Sequence, residues 1–197
     1  MRKQVVLGML AVLAGTTLAS RSAVAQEQSS TSTQFSLGGG VDLPMGDFDN
    51  NFNTGWHGLA AVTFTPATWP VGIQIDGNYG RFPDDSPADV NLQMIYGTGN
   101  IVYRFQTSPE STFRPYLIGG GGVYNLKATG SDVPDVEGLD NARTKFGING
   151  GAGFDIKAGS ASLFAEARFH NVFSKDEPDF PFNTNFLPIT AGIRFGG

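Results

Sequence analysis

Ser162, Glu166 and His170 supply a hydroxyl, a carboxylate and an imidazole at four-residue spacing, the groups that hydrolytic catalysis assembles into nucleophile, orienting acid and base. They fall within Ala161–Asn171, where Ala161, Leu163, Ala165, Ala167 and Phe169 alternate with Ser162, Phe164, Glu166, Arg168 and His170. A period of two belongs to a strand, and all three groups share one face of it. At about 3.3 Å per residue, neighbouring members stand roughly 13 Å apart, well beyond a hydrogen-bond reach of about 3 Å. They make no triad with one another, His57 is the only substitute imidazole, and the chain is expected not to be an enzyme. No catalytic, cofactor-binding or metal-ligating set is assigned. His170 reads as a polar residue near the outer rim.

A second group of residues has structural chemistry. Asp42, Asp76, Arg104, Lys145, Asp155, Glu166, Arg168 and Arg194 all occupy the polar parity of their segments. Enclosed together, opposite charges must pair, because an unpaired buried ion is costly. An interior salt-bridge network is therefore expected, with Glu166 and Asp42 linked to Arg194 and Arg168. It would act as a plug that fixes the shape of a narrow barrel without an aqueous channel. A proton or ion path is the lesser alternative.

The elements that position these residues are strands. Besides Ala161–Asn171, alternation is clear in Lys145–Lys157 and in Leu187–Phe195. In the first, Phe146, Ile148, Ala152, Phe154 and Ile156 oppose Lys145, Asn149, Asp155 and Lys157; in the second, Leu187, Ile189, Ala191, Ile193 and Phe195 oppose Pro188, Thr190, Gly192 and Arg194. The same test marks Gln34–Leu43, Gly55–Thr65, Val71–Phe82, Asn91–Phe105 and Phe113–Leu126. Most of these segments are near the 9 to 11 residues with which a tilted strand crosses a bilayer. The connections alternate in length: Pro44–Thr54 is long, Pro66–Pro70 short, Pro83–Val90 intermediate, Gln106–Thr112 short, Lys127–Arg143 long, Ala158–Ser160 very short and Val172–Phe186 long. Outer-membrane barrels have this asymmetry, with short periplasmic turns and longer extracellular loops. The expected fold is all-β: an eight-stranded antiparallel up-and-down transmembrane β-barrel behind a cleavable signal peptide.

The export signal is read from Arg2 and Lys3, the uncharged apolar run Val5–Leu18 and the small-x-small site Ala23-Val24-Ala25. The run is about 14 residues, too short for the roughly 20 of a spanning helix. The expected organisation is signal peptide 1–25, flexible lead 26–33 and barrel domain 34–197. No second apolar run of spanning length follows, so entry into a bilayer requires a closed barrel.

Composition agrees. Loss of Arg2, Lys3 and Arg21 makes the formal net charge more negative than the −5 of the full chain. With no basic cluster, nucleic acid is not an expected partner. Cysteine is absent, so disulfides do not hold the exported fold together. Charged residues make up 16%, against about 25% in ordinary soluble chains. The acidic groups of the outer connections, Asp47 and Asp49, Asp84, Asp85 and Asp89, Asp132, Asp135, Glu137 and Asp140, and Asp176, Glu177 and Asp179, read as solvated acidic loops. Their spacing matches no EF-hand, and bridging of divalent ions to lipopolysaccharide is the alternative.

Alternation alone does not say which face meets lipid, because a soluble lipocalin-like barrel that binds an apolar ligand has the same period. The second face is rich in Gly, Ser and Asn, and the 27 Gly suit a crowded, narrow interior. Aromatic residues gather near segment ends: Trp56, Phe64, Trp69, Tyr79, Phe82, Tyr103, Phe105, Phe113, Phe169 and Phe195. Interfacial girdles are expected there.

The residues Phe35-Ser-Leu-Gly-Gly-Gly-Val-Asp42, Pro44-Met-Gly-Asp-Phe48 leading to Gly55-Trp56, Pro115-Tyr-Leu-Ile-Gly-Gly-Gly-Gly122 and Pro188-Ile-Thr-Ala-Gly-Ile-Arg-Phe195 resemble the outer membrane protein β-barrel domain family, the OmpA/OmpX-like small barrels. The resemblance spans the whole chain after the signal and carries no catalytic motif. It implies an outer-membrane location and contact with outer-membrane lipid and lipopolysaccharide. It also implies recognition of the last strand by the outer-membrane assembly machinery, a role that falls here on Ile189, Ala191, Ile193 and Phe195, with Gly196 and Gly197 following as a departure. The expected role is structural or surface-interacting through four extracellular loops around a closed lumen, as a monomer. An outer-membrane lipid hydrolase is the enzymatic alternative.

Overall fold

The computed structural model describes residues 31–50, 52–67, 69–83, 91–108, 110–130, 143–173 and 183–196. Eight strands follow in chain order: β1 (Ser32–Met45), β2 (Gly55–Thr65), β3 (Val71–Pro83), β4 (Asn91–Arg104), β5 (Phe113–Thr129), β6 (Arg143–Ala158), β7 (Ala161–Val172) and β8 (Thr184–Gly196). Each pairs antiparallel with its neighbours, and β1 also pairs with β8, closing an up-and-down barrel. Closure abolishes the sheet edges that would otherwise seek partners.

The eight segments expected from alternation are these eight strands, most of them extended at their ends. Ser32 and Thr33, expected in a flexible lead, already pair with Thr65 and Phe64. Pro44, expected to open the first loop, lies inside β1 opposite Phe186; the fixed φ of proline is compatible with the end of a strand. The expected signal peptide lies outside the described residues. Between β6 and β7, Ala158 pairs directly with Ala161, and Gly159 takes φ +65°. A two-residue hairpin of this kind places glycine at its first position because only glycine adopts that φ freely. Connections 84–90, 131–142 and 174–182 at the opposite, outer end fall outside the described residues. The first outer connection begins with a 3-10 turn at Gly46–Phe48.

The outer wall is apolar. Phe35, Leu37, Ile73, Ile75, Ile101, Leu117, Phe146, Ile148, Leu163 and Ile193 are all exposed on it. An apolar surface that runs round the whole barrel is foreign to a soluble monomer and is what a hydrocarbon solvent calls for. Nine of the ten aromatics expected at girdles are exposed or half-buried on this wall. Phe82 is the exception: it is 1% exposed and points inward, because it sits one parity step from the outward Tyr79 and Arg81 of β3.

Toward the outer end the polarity of the two faces reverses. Inward positions there hold Phe82, Leu92, Met94, Tyr96, Tyr124, Leu126, Val172 and Phe186, packed with Phe48 from the 3-10 turn into one buried cluster. The alternate, outward positions hold Arg81, Gln93, Asn125, Lys127, Asn171 and Asn185. A wall that is polar outside and apolar inside is built for water, so the strands project beyond the membrane at this end. The face expected to turn inward was the small and polar one; toward the outer end the inward face forms a small hydrophobic core instead.

Candidate functional site

The interior is the part of the molecule where chemistry-bearing side chains converge. In the middle of the barrel, β3 alternates Gln74, Asp76 and Asn78 inward, and β4 alternates Thr98 and Asn100. Asp76 is 3% exposed and accepts hydrogen bonds from Gln74 Nε2 (3.2 Å), Asn78 Nδ2 (2.8 Å), Thr98 Oγ1 (2.7 Å), Asn100 Nδ2 (2.8 Å) and Arg168 Nη1 (2.9 Å). Thr63 on β2 donates to Gln74 Oε1 at 3.0 Å. Five side-chain donors thus converge on its two oxygens, and the hydrogen-bonding capacity of the carboxylate is met by the protein itself.

Arg168 spans two carboxylates. Its Nε donates to Glu166 at 2.9 Å and its Nη2 also contacts Glu166, while Nη1 bonds Asp76. The second oxygen of Glu166 accepts the Tyr116 hydroxyl at 2.9 Å. That hydroxyl lies 3.5 Å from Arg194 Nη2, whose Nε donates to Ser36 at 3.0 Å and whose Nη1 pairs with Asp155. The Arg194 guanidinium also lies over the rings of Tyr116 and Phe164, at 5.2 and 4.8 Å, an arrangement that favours a desolvated cation. Asp155 lies 3.7 Å from Arg104, which donates to Gln34 at 2.9 Å. From Thr63 to Gln34, this single chain of polar contacts draws a side chain from every one of the eight strands.

Of the residues expected in the interior network, Asp76, Arg104, Asp155, Glu166, Arg168 and Arg194 lie in this chain. Asp42 does not, so the expected link from Asp42 to Arg194 or Arg168 is corrected. Asp42 is fully buried nearer the outer end, and its neighbour is His57, whose Nδ1 is 2.8 Å from Asp42 Oδ1. The contact is close but not well aligned as a hydrogen bond, and neither oxygen of Asp42 has another partner among the described residues. Nε2 of His57 is 2.8 Å from Thr190 Oγ1. Lys145 shares the inward parity but sits at the outer end of β6. Gln74, Asn78, Thr98, Asn100, Tyr116 and Ser36 were not picked out in the sequence; their signal was the parity they share with the charged residues on the same strands.

Ser162, Glu166 and His170 remain apart: Glu166 binds Arg168 and Tyr116, whereas His170 Nδ1 lies 2.8 Å from the Tyr124 hydroxyl, with its ring stacked on Phe186 at 4.8 Å. His170, expected at the polar rim, is 1% exposed inside the aromatic cluster. Asp42, His57 and Thr190 have the order of a catalytic relay. Thr190 is only 3% exposed within the lumen, so its hydroxyl has no approach for a substrate. Among the described residues no group of three His, Cys, Asp or Glu is placed to hold a metal. The acidic outer connections, apart from Asp47 and Asp49, lie outside those residues.

Comparison with known proteins meets this geometry at the level of the fold. Neisserial surface protein A superposes with a TM-score of 0.61 at 14% identity, over 83% of this chain and 96% of that one. The N-terminal β-barrel domain of Pseudomonas aeruginosa OprF gives 0.48 at 17% identity, over 85% and 97%. The outer membrane enzyme PagL gives 0.45 at 15% identity, over 83% and 98%. No curated protein matches the sequence. The model of the outer membrane protein beta-barrel domain family matches residues 10–195, nearly the whole chain, and the protein therefore belongs to that family and is an eight-stranded barrel of the outer membrane.

Proposed function

We propose that the protein is a non-enzymatic outer-membrane scaffold, a closed barrel that holds its outer loops at the cell surface for structural or adhesive contacts. The observation that carries this reading is the filled lumen: the polar chain linking all eight strands lies below, and the apolar cluster capped by Phe48 lies above. A barrel packed to this degree supports loops rigidly, and loops on rigid scaffolds usually carry recognition. The test replaces residues 131–142 and 174–182 with short turns. The reading expects a barrel that still inserts and shifts on heating in a gel, but whose cells lose surface contacts that the parent makes. Unchanged surface contacts would overturn it.

A hydrolase reading rests on Asp42, His57 and Thr190, the one relay-like arrangement among the described residues, and burial weighs against it. His57→Ala and His170→Ala variants are expected to leave the lipid A profile of the cells unchanged. A changed profile in either would restore the enzymatic reading.

A further inference from the structure

The end of the barrel that carries the short turns has a charge of its own. Its described charged residues are Arg104, Arg114, Lys157 and Arg194 against Asp155 and Glu110, a local excess of cations in a chain whose formal net charge is −5. Asp155 is committed to Arg194, with Arg104 at 3.7 Å. Arg114 stands in register with Asp155, yet neither Arg114 nor Lys157 has an ion pair with any described residue, and both are exposed. Glu110, in the turn between β4 and β5, pairs with neither.

The direction of these cations decides what they can meet. Arg104 shares the inward parity of Val102, Arg114 that of Tyr116 and Ile118, and Lys157 that of Asp155. Three adjacent strands, β4, β5 and β6, thus line one side of the lumen mouth with positive charge. The outward positions at this level hold Tyr103, Phe113 and Ile156, so a lipid headgroup in the membrane plane meets apolar wall and not these cations. Arg104 is steadied across the mouth by Gln34 of β1 at 2.9 Å. A guanidinium has five N–H donors, and Arg104 still has some to offer. Like charges on neighbouring strands repel, a cost that an arriving anion removes.

We infer that Arg104, Arg114 and Lys157 form a docking site at the periplasmic mouth for the carboxylates of a short acidic peptide, the peptide stem of the cell-wall polymer. β4 and β6 are two strand spacings apart, about 10 Å, which accommodates two carboxylates of one short peptide. Arginine meets a carboxylate with two parallel hydrogen bonds. The wall polymer lies directly beneath this membrane, and its stems carry free carboxylates on a chain slender enough to approach the mouth along the barrel axis. The inference uses the orientation of the barrel in the membrane and is independent of whether the outer loops bind a partner.

The full-length mature barrel, folded in a nonionic detergent that leaves both ends open to solution, is titrated into a fluorescently labelled stem peptide with its carboxylates free, and anisotropy is followed. Saturable binding is expected, weakening as salt rises. Arg114→Gln combined with Lys157→Gln, both at exposed positions, should weaken it about tenfold or more through loss of two charge-assisted contacts. Arg81→Gln, at the outer end, should leave it unchanged. Sacculi stripped of protein should co-sediment the parent barrel and leave the double variant in solution. Undiminished binding by the double variant, once its heat-dependent gel shift shows it folded, would overturn the site. A stem peptide with amidated carboxylates should not bind, and equal binding would overturn carboxylate recognition. Competition by an unrelated peptide of the same charge, or by phosphatidylglycerol in the detergent, as strong as that by unlabelled stem would overturn the cell-wall assignment.

Discussion

Arg168 Nη1 bonds Asp76 at 2.9 Å across the full width of the lumen, from β7 to β3, strands that lie opposite each other in a ring of eight. Neighbouring strands are already joined by backbone ladders; this contact joins walls that share none. It holds the cross-section of the barrel, and through Glu166 and Tyr116 it hands the strain of any flattening to Arg194 and Asp155.

Removing Arg168 strands two buried carboxylates. Arg168→Met is expected to destabilise the barrel by about 3–5 kcal/mol, the usual cost of leaving a buried charge without its partner. Combining it with Glu166→Gln and Asp76→Asn removes the orphaned charges and should recover most of that loss. Urea unfolding in lipid vesicles measures both. Equal stability of the parent and Arg168→Met would mean that water enters the lumen freely.

His57 is the sole counterpart of Asp42 among the described residues, and the same reasoning applies on a smaller scale. His57→Leu should cost about 1–3 kcal/mol, because Asp42 is left buried without its neighbour and Thr190 loses its acceptor or donor. Asp42→Asn added to His57→Leu should be less harmful than the sum of the two single changes, as coupled neighbours are. A double-mutant cycle on unfolding free energies checks this, and strict additivity would show the two side chains to be independent.

The strands were legible because lipid outside and polar residues inside write a clean period of two, as in Ile73, Ile75 and Tyr79 against Gln74, Asp76 and Asn78. The upper core was not, because alternation marks two faces without naming them: Phe82, Leu92 and Phe186 keep the period where the wall has changed its solvent. Parity placed Asp42 in the lumen but not its height. Arg194 stands opposite Ser36 on β1, about 20 Å along the strand from Asp42 at roughly 3.3 Å per residue, too far for a side-chain contact. His57, in register with Gly40 next to Asp42's neighbour Val41, was the group within reach.

Glycines on the two faces should respond in opposite ways. A Cβ on Gly120 would run into the carbonyl oxygen of Gly99 and meet the Asn100 side chain at 2.6 Å, whereas one on Gly99 meets nothing within 4 Å. Gly120→Ala is therefore expected to destabilise by about 1–3 kcal/mol through overpacking. Gly99→Ala should be neutral or stabilising by up to about 1 kcal/mol, since it restricts the unfolded chain and adds apolar surface toward lipid. Paired unfolding curves decide it; a loss for Gly99→Ala matching that of Gly120→Ala would show that the outer glycines serve a close contact on the lipid face.

Among the described residues, Phe48 is the one fully buried aromatic of the upper core that comes from outside the strands. It is fully buried, with ring centres 5.1 Å from Phe82 and 4.9 Å from Phe52, and Gly46, at φ +64°, turns the chain so that it drops into the barrel mouth. Phe48→Ala should cost about 3–5 kcal/mol if the cluster does not collapse around the hole. The loss arises above the membrane band, so insertion and the heat-dependent gel shift should persist while the outer end loosens. Hydrogen exchange then locates the effect: faster exchange confined to the outer ends of β3, β4, β5 and β8, with the amides around Asp76 and Glu166 as protected as before. Faster exchange throughout the barrel would mean that the upper core and the polar chain below it open as one unit.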